Sequence, residues 1–267
     1  MCAKIVTGSS KCFVAPISNQ NFSFKGDIPY CINLERNAKR GEKERENAGL
    51  NLYFHKFANK EMALIKFFNL VKSGGEMDYK KRDIQASINK TPSKYENFGN
   101  YNYGVVARSM GIDEKFALAC AGAYQATGIM QRALKDKEKT FANLSDEDRA
   151  KYELYFSKAQ EKASSLLFIK DAKTQINLFH YFINESMKIG DKTGDYGYFD
   201  DPKDSKFIKQ GYNDAKNLGY GAKFDIIKFE DVKLENVIGE LLSQNEQEKN
   251  NFALNLSNDS YNQTVKL

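Results

Sequence analysis

Hydrophobic residues recur every three or four positions along much of the chain, which is the spacing of one face of an α-helix. The clearest case carries Ile176, Phe179, Ile183 and Met187 at successive turns. Repeated stretches of this kind, with only four prolines in the whole chain, indicate that helices dominate the fold. The helices predicted on this basis cover about 64–73, 113–131, 145–164, 176–187, 204–217 and 234–242.

Two long polar stretches interrupt the helical pattern. Residues 74–104 and 190–202 are rich in Gly, Asn, Asp and Tyr and have no apolar period, so we predict loops there. Charged residues fill 35–47, which predicts a solvated helix or linker without a core face. Residues 224–229 alternate in the manner of a strand, and the first 34 residues predict short strands or irregular packing.

These patterns together predict a mainly α fold, a single helical domain with two long polar loops. The alternative is a small β-hairpin within the first loop, which would give a lysozyme-like α+β fold. Long polar loops are uncommon in compact domains and often carry the functional residues. We therefore expect the site where the two loops meet.

Composition narrows the chemistry that such a site could perform. The 267 residues include only two histidines, His55 and His180, which lie far apart and outside any zinc-binding spacing. Each lies in an apolar helical pattern, so we interpret both as structural. A catalytic triad would have to recruit one of them. Carboxylates are therefore the expected catalytic groups, and Cys120, within an Ala-rich helix, is predicted to be a small core residue.

Charge and hydropathy limit the class of protein further. The net charge of +5 is well below that of a dedicated nucleic-acid-binding protein. No stretch reaches 18 uninterrupted apolar residues, so no transmembrane segment is predicted, and the first ten residues lack the apolar run of a signal peptide. We therefore expect a cytosolic protein or one exported without a cleaved signal. The disulfide state of Cys2, Cys12 and Cys31 stays open.

Four motifs occur in order along the chain and resemble those of the bacterial polymorphic toxin type 44 domain. The resemblance covers roughly 70–128 and 190–217, with Met77 and Phe199 where the family usually has Trp and Gly. The motifs read Gly74-Gly75-Glu76-Met77-Asp78-Tyr79-Lys80, then Phe98-Gly99-Asn100-Tyr101-Asn102-Tyr103-Gly104, then Ala121-Gly122, then Asp200-Asp201-Pro202-Lys203-Asp204 followed by Ile208 and Gly211.

The resemblance implies an antibacterial effector toxin, since members of the family occur in secreted or injected toxins, including type VI secretion effectors. It implies a cognate immunity protein and a secretion-system delivery component as partners, and action in the target periplasm, which we favour, or in its cytosol. On this basis we divide the chain into three parts. Residues 1–60 form an N-terminal segment that is the candidate for delivery, residues 61–243 form a catalytic domain with a helical insertion at about 130–189, and residues 244–267 form a polar tail.

The residues themselves leave three alternatives open, two carboxylate-based hydrolases and a non-enzymatic binding module. As a glycan hydrolase, favoured for peptidoglycan, the protein would use one carboxylic acid and a second carboxylate. As a ribonuclease it would use the same groups, with Mg²⁺ as the cofactor or Lys80 at the phosphate. As a binding module it would use the polar loops only to hold the fold. The candidate catalytic residues are Glu76, Asp78, Asp200, Asp201 and Asp204, and the candidate substrate-binding residues are Lys80, Asn100, Tyr101, Asn102, Tyr103 and Tyr198.

Local charge favours the glycan hydrolase. Residues 74–128 carry a net +1 and residues 190–213 a net −1, so the motif region is neutral. Binding of a polynucleotide usually requires concentrated positive charge, because neutralised phosphates supply much of the affinity. A neutral cleft rich in Tyr, Asn and carboxylates suits a polymeric glycan better. The favoured hypothesis is therefore a lysozyme-like muramidase that requires no cofactor.

Overall fold

The computed structural model describes residues 21–30, 32–50, 59–164, 172–241 and 243–244. Within these ranges every regular element is helical, and β pairing is limited to one bridge between Ile112 and Ile227. The prediction of a mainly α fold is confirmed, and the described ranges contain no hairpin. The α-helices are α1 Leu34–Leu50, α2 Asn59–Val71, α3 Ile84–Asn89, α4 Glu96–Ser109, α5 Glu114–Ala133, α6 Lys137–Ala142, α7 Asp146–Ser164, α8 Ala172–Thr193 and α9 Pro202–Asn217, and residues 234–241 are also helical.

Helices α5 and α7 begin where the sequence predicts. Asp113 caps α5, its carboxylate accepting the backbone N–H groups of Lys115 at 3.0 Å and Phe116 at 3.3 Å. Ser145 caps α7 by accepting the N–H of Asp148 at 3.1 Å. In these cases the capping residue and the following apolar period agree, so the sequence alone determines the start.

The first predicted loop is largely helical, which corrects the expectation for 74–104. It contains a short 3₁₀ helix at Tyr79–Arg82, then α3, and then more than half of α4. Gly and Asn disfavour helices when exposed. In α4 they allow close packing, since a Cβ added at Gly104 would overlap the carbonyl oxygen of Ile208 in α9. Tyr79, Tyr101 and Tyr103 are therefore helical residues, and Tyr95 lies in the turn before α4.

Helix α1 has a core face, contrary to the prediction for 35–47. Leu34, Ala38 and Ala48 are buried, together with Asn37. Gly41 lies so close to α4 that a Cβ there would be 3.1 Å from the Cβ of Ser109. The core face was not recognised because it consists of small and polar residues, which carry little hydrophobic signal.

Other boundaries also differ from the sequence prediction. Helix α2 begins at Asn59 rather than near 64, and α8 spans Ala172–Thr193 rather than 176–187, so it takes up the first four residues of the predicted loop 190–202.

The predicted strand and the start of α9 differ as well. Residues 224–229 form no strand beyond the Ile227 bridge, because the chain turns into a 3₁₀ helix at Phe229–Asp231. Helix α9 begins at Pro202, two residues earlier than predicted, with Asp201 as its cap. Pro at the first helical position is typical of a helix start.

Helix α4 lies at the centre of the fold, between α1 and α9, while α5 packs mainly against α8. Helices α4 and α9 run in the same direction. Glu96 and Asp204, each in the first turn of its helix, interact electrostatically, whereas Tyr212 late in α9 donates a hydrogen bond to the carbonyl of Ile112, just beyond the end of α4, at 2.9 Å. None of the described helices has the length and apolar composition needed to cross a membrane.

Candidate functional site

Asp200 lies at the common start of α4 and α9 and is only 6% exposed. Its carboxylate accepts a hydrogen bond from the Ser205 hydroxyl at 3.1 Å. The loop that carries Asp200 is held by α7, where the Tyr152 hydroxyl donates a hydrogen bond to the carbonyl of Phe199 at 2.9 Å. It also lies directly on α5, where a Cβ at Gly122 would be 3.1 Å from the backbone nitrogen of Asp200. The carboxyl group is therefore held in a rigid, mostly apolar setting.

Burial raises the pKa of Asp200 to about 7, from the ordinary value of 3.8. The negative charge of Asp204 contributes to this shift, while the hydrogen bond from Ser205 and the positive charge of Lys80 oppose it. A carboxyl group with this pKa is protonated in a large fraction of molecules near neutral pH. It can therefore donate a proton as a general acid.

Asp204, Lys80 and Glu96 form the charged group beside Asp200. Burial raises the pKa of Asp204, Lys80 opposes this, and Glu96 adds to it. The Lys80 ammonium lies 3.5 Å from the Glu96 carboxylate. Glu96 was missed by the sequence analysis because 95–104 was interpreted as loop. Its position four residues before Asn100 would have indicated the same helix face had α4 been recognised.

One stripe of α4, formed by Glu96, Asn100 and Tyr103, extends along the site. Asn100 is 9% exposed, and its Nδ2 has no hydrogen-bond partner among the described residues. The Tyr103 hydroxyl donates to the carbonyl of Ala117 at 3.0 Å. Burial raises the pKa of Tyr103, and the nearby Asp200 charge contributes. Asn100 thus has an unused donor. It lies on α4 between Glu96, which interacts electrostatically with Asp204, and Tyr103, which interacts with Asp200.

A cleft of about 730 Å³ extends from Asp200 between α7, α9 and the loop before α9. The ring of Tyr198 packs edge-on against Phe199, and Lys151 lies 5.6 Å from its centroid. The charged residues of the lining are three acids and three lysines, so its formal charge is zero with Asp200 ionised and +1 with Asp200 protonated. The lining consists of Glu147, Ala150, Lys151, Leu154, Asp195, Gly197, Tyr198, Asp200, Pro202, Ser205, Lys206 and Lys209.

Glu76 and Asp78 have other contacts. Glu76 is exposed, with its carboxylate 3.6 Å from the guanidinium of Arg40 in α1. The Asp78 carboxylate accepts the N–H of Gly74 at 2.8 Å and thereby closes the turn after α2. The geometry does not bring either carboxylate into contact with Asp200 or Asp204 among the described residues, although Lys80, two residues after Asp78, does reach them electrostatically.

Three more predicted residues hold the fold together. Asp201 caps α9 by accepting the N–H of Lys203 at 2.7 Å. The Tyr101 hydroxyl donates to the carboxylate of Asp214, and its ring is fully buried. Asn102 accepts a hydrogen bond from the Asn37 side chain at 2.7 Å in the interface with α1. Of the predicted set, the structure groups Asp200, Asp204, Lys80, Asn100 and Tyr103 together, with Tyr198 in the adjoining cleft.

The histidine and cysteine predictions are partly covered by the structure. His180 is half-buried in α8, its ring 6.4 Å from that of Phe229, which fits a structural role. Cys120 is buried and free, as predicted for a small core residue. His55, Cys2, Cys12 and Cys31 lie outside the described residues. The described residues also contain no group of three or more His, Cys, Asp or Glu side chains positioned to hold a metal ion.

Comparison with known proteins places the chain in a family. No curated protein and no solved structure matches it significantly. The family model described as Bacterial toxin 44 matches residues 66–217, which is more than half of the chain and includes all the residues grouped around Asp200. A domain of this kind is a bacterial toxin, and such toxins typically have an immunity partner. The chain therefore belongs to the Bacterial toxin 44 family.

Proposed function

We propose that this toxin domain is a carboxylate-based hydrolase that cleaves the glycan strands of peptidoglycan. The observation that carries the proposal is Asp200, a buried carboxyl group with a pKa of about 7 that lines the cleft and interacts electrostatically with a second carboxylate, that of Asp204. Glycoside hydrolysis needs one carboxylic acid that protonates the leaving oxygen and a second carboxylate that acts at the sugar.

Asp200 is the proposed general acid. It donates its proton to the glycosidic oxygen as the bond to the sugar breaks, and it becomes the carboxylate that Lys80 stabilises. Ser205 orients the carboxyl group by its hydrogen bond at 3.1 Å. The proposal needs Asp200 to be protonated and its partner ionised at the same pH. Environments that push the pKa values of two neighbouring acids apart meet this need.

Asp204 is the proposed second carboxylate. It is more exposed than Asp200, and the positive charge of Lys80 is the first of the influences that favour its ionised form. Glu96 holds Lys80 in place by the contact at 3.5 Å. The ionised Asp204 then stabilises the sugar cation or activates the attacking water, which supplies the hydroxyl group of the product.

Asn100 and Tyr198 are the proposed substrate-binding residues. The Nδ2 of Asn100 is buried outside the cleft lining and has no partner among the described residues, so a hydrogen bond to a sugar hydroxyl on substrate binding would remove the cost of a buried unpaired donor. The Tyr198 ring and the neighbouring apolar surface of Pro202 and Leu154 offer a wall for the apolar face of a sugar ring. With Asp200 protonated the cleft lining carries a formal charge of +1, which is still far from the concentrated positive charge of a polyanion site and suits a glycan.

A ribonuclease is the second candidate, and Lys80 is the observation in its favour. Its ammonium lies among Glu96, Asp204 and Asp200, where it could contact a phosphate during general acid–base cleavage. The carboxylates would hold Mg²⁺ in a metal-dependent version. The equal number of acids and lysines in the cleft disfavours this candidate. A binding module, the third alternative, gives no reason for an acid with a pKa near 7.

The proposed setting follows from family membership. We propose that the domain is injected or secreted into a target bacterium, that it acts in the periplasm, and that a cognate immunity protein protects the producer. A delivery component would bring it there, and residues 1–60 are the candidate segment for that contact. The helical stretch at about 130–189 supplies α7, one wall of the cleft, so this part of the chain would contribute to substrate binding.

Expression in bacteria with and without an added export signal tests the proposal. Wild type should lyse cells only when exported, and Asp200→Asn should be harmless in both compartments. Asp146→Asn, a change at a fully exposed aspartate, is the matched control and should kill like wild type. Death upon cytosolic expression with degraded RNA would favour the ribonuclease. Absence of toxicity in both compartments would favour a binding module.

A further inference from the structure

A small basic knob, residues 81–94, protrudes next to the candidate site. It follows Lys80 directly and consists of the end of the 3₁₀ helix, α3 and the turn before α4. Ten of the twelve residues 81–92 are exposed. Among them are two large apolar side chains, Ile84 at 71% exposure and Ile88 at 68%. These two are four residues apart on α3, so they share one face.

The knob is held in a fixed conformation by Asp83. Its carboxylate accepts the N–H of Ala86 at 3.1 Å, which caps α3, and the N–H of Lys94 at 3.0 Å, which ties the two ends together. Ala86 is buried and anchors the underside. Because the backbone is ordered in this way, presenting the isoleucines to a partner costs little conformational entropy.

Positive charge surrounds the apolar pair. The knob has four cations and one carboxylate, a net charge of +3, against +5 for the whole chain. The carboxylate is that of Asp83, whose backbone hydrogen bonds lower its pKa, so it counts as fully ionised near neutral pH. The four cations are Lys81, Arg82, Lys90 and Lys94.

We propose that the basic knob docks onto an anionic phospholipid surface. Ile84 and Ile88 would enter the boundary between headgroups and acyl chains, while the cations contact the headgroup phosphates. Two isoleucines are too small a core for a stable protein interface, which usually buries about 800 Å² on each side. A bilayer requires no matching pocket, so a small protruding apolar pair flanked by cations suits it.

Docking in this way would place Lys80 and the candidate site close to the membrane surface, because the knob begins at the next residue. Membrane docking depends only on the surface of residues 81–94 and is independent of the bond that the enzyme cleaves. A failure of one proposal therefore leaves the other intact.

Flotation of the full chain with lipid vesicles tests the proposal. The vesicles are pure phosphatidylcholine or phosphatidylcholine with about 30% phosphatidylglycerol, at low and high salt. The variants are Ile84→Ser with Ile88→Ser, and Lys81→Gln with Lys94→Gln. The matched controls are Leu154→Ser, which removes an equally exposed leucine at 71%, and Lys158→Gln, which removes an exposed lysine elsewhere.

Binding is expected only to the anionic vesicles and should weaken with salt. Replacing both isoleucines should lower the vesicle partition coefficient at least about tenfold, and replacing both lysines should lower it at least about fivefold. Both controls should bind like wild type. Failure of wild type to bind, equal binding to neutral vesicles, or an equal loss in Leu154→Ser would overturn the proposal. One further outcome would overturn it: wild type forms a dimer and does not bind vesicles, and the variant with Ile84→Ser and Ile88→Ser is monomeric. That result would assign this face to contact with a second copy of the chain.

Discussion

Asp200 keeps its proton to a higher pH than an exposed aspartate because burial penalises its charged form, and this has a cost in stability. The unfolded chain releases the proton near pH 3.8 and the native state near pH 7. Between these values the native state binds more protons, so raising the pH through this window lowers the free energy of unfolding. Below and above the window the contribution is constant.

Asp200→Asn should therefore stabilise the protein at alkaline pH while abolishing its activity. The asparagine cannot ionise, and its Oδ1 can still accept the Ser205 hydroxyl. Between pH 5 and pH 8 the stability of the variant relative to wild type should rise by about 2 to 3 kcal/mol. Urea unfolding at the two pH values measures this. A difference that does not change with pH would show that Asp200 is not protonated in the native state.

Asn100 and Asn102 provide a matched pair on one helix. Asn100→Leu removes a buried donor that has no partner among the described residues, so stability should stay equal or rise, while hydrolysis should fall at least about tenfold. Asn102→Leu removes the acceptor for Asn37 and should lower the free energy of unfolding by about 1 to 3 kcal/mol. Denaturation and turnover of both variants are the measurements. A destabilised, active Asn100→Leu would contradict the assignment of its side chain to substrate.

At the scale of elements, the parallel contact of α4 with α9 brings the site residues together. It depends on glycines, since a Cβ at Gly211 would overlap the carbonyl oxygen of Tyr101. The contact is reinforced by Asp214, which accepts the Tyr101 hydroxyl and the backbone N–H of Ser23. Because the two helix starts are fixed in this way, Glu96 of α4 and Asp204 of α9 lie at one end.

Gly211→Ala should separate these helices and destabilise the fold by about 3 kcal/mol or more, because the added methyl group meets backbone rather than a flexible side chain. Gly128→Ala on α5 is the control: its nearest neighbour is the Arg132 guanidinium at 3.6 Å, so the methyl group fits. That change should be neutral or stabilise by up to about 1 kcal/mol. Thermal unfolding of both variants compares them. Equal effects would mean that the α4–α9 contact is not tight.

Packing between helices, as in the contact of α4 with α9, explains which elements the sequence could not predict. Helices α5 and α8 were predictable from the spacing of their apolar residues and α7 from its Ser145 cap, and Asp200 and Asp204 were recognised from their motif. Helix α4 and the core face of α1 were missed because Gly, Asn and Ala signal packing only when the partner helix is known. Glu96 was missed with α4. Asp78 and Asn102 belong to the same motifs, but their side chains hold turns and helix contacts, a difference that only the three-dimensional structure reveals.

At the scale of the whole molecule, the charge excess lies away from the cleft. The basic knob carries +3, whereas the acids and lysines of the cleft lining balance. The proposed membrane contact and the proposed glycan site therefore lie on surfaces of different charge. This separation makes ionic strength a useful probe of which substrate enters the cleft.

Hydrolysis of a soluble glycan should depend little on salt. Between 50 and 200 mM NaCl the KM should change less than about threefold, because no phosphate is neutralised on binding. A polynucleotide bound through several phosphates would lose affinity by orders of magnitude over the same range. Steady-state kinetics at the two salt concentrations measures the effect. A steep rise of KM with salt would argue for a polyanionic substrate.

Release of reducing sugar ends from purified peptidoglycan, followed across pH, tests the central claim most directly. Wild type should release them with a bell-shaped profile whose alkaline limb falls near pH 7, where Asp200 loses its proton, and whose acid limb reports the ionisation of Asp204. Asp200→Asn should release none, and Asp146→Asn should match wild type. Intact peptidoglycan after incubation with folded wild type, alongside cleavage of RNA, would contradict the account.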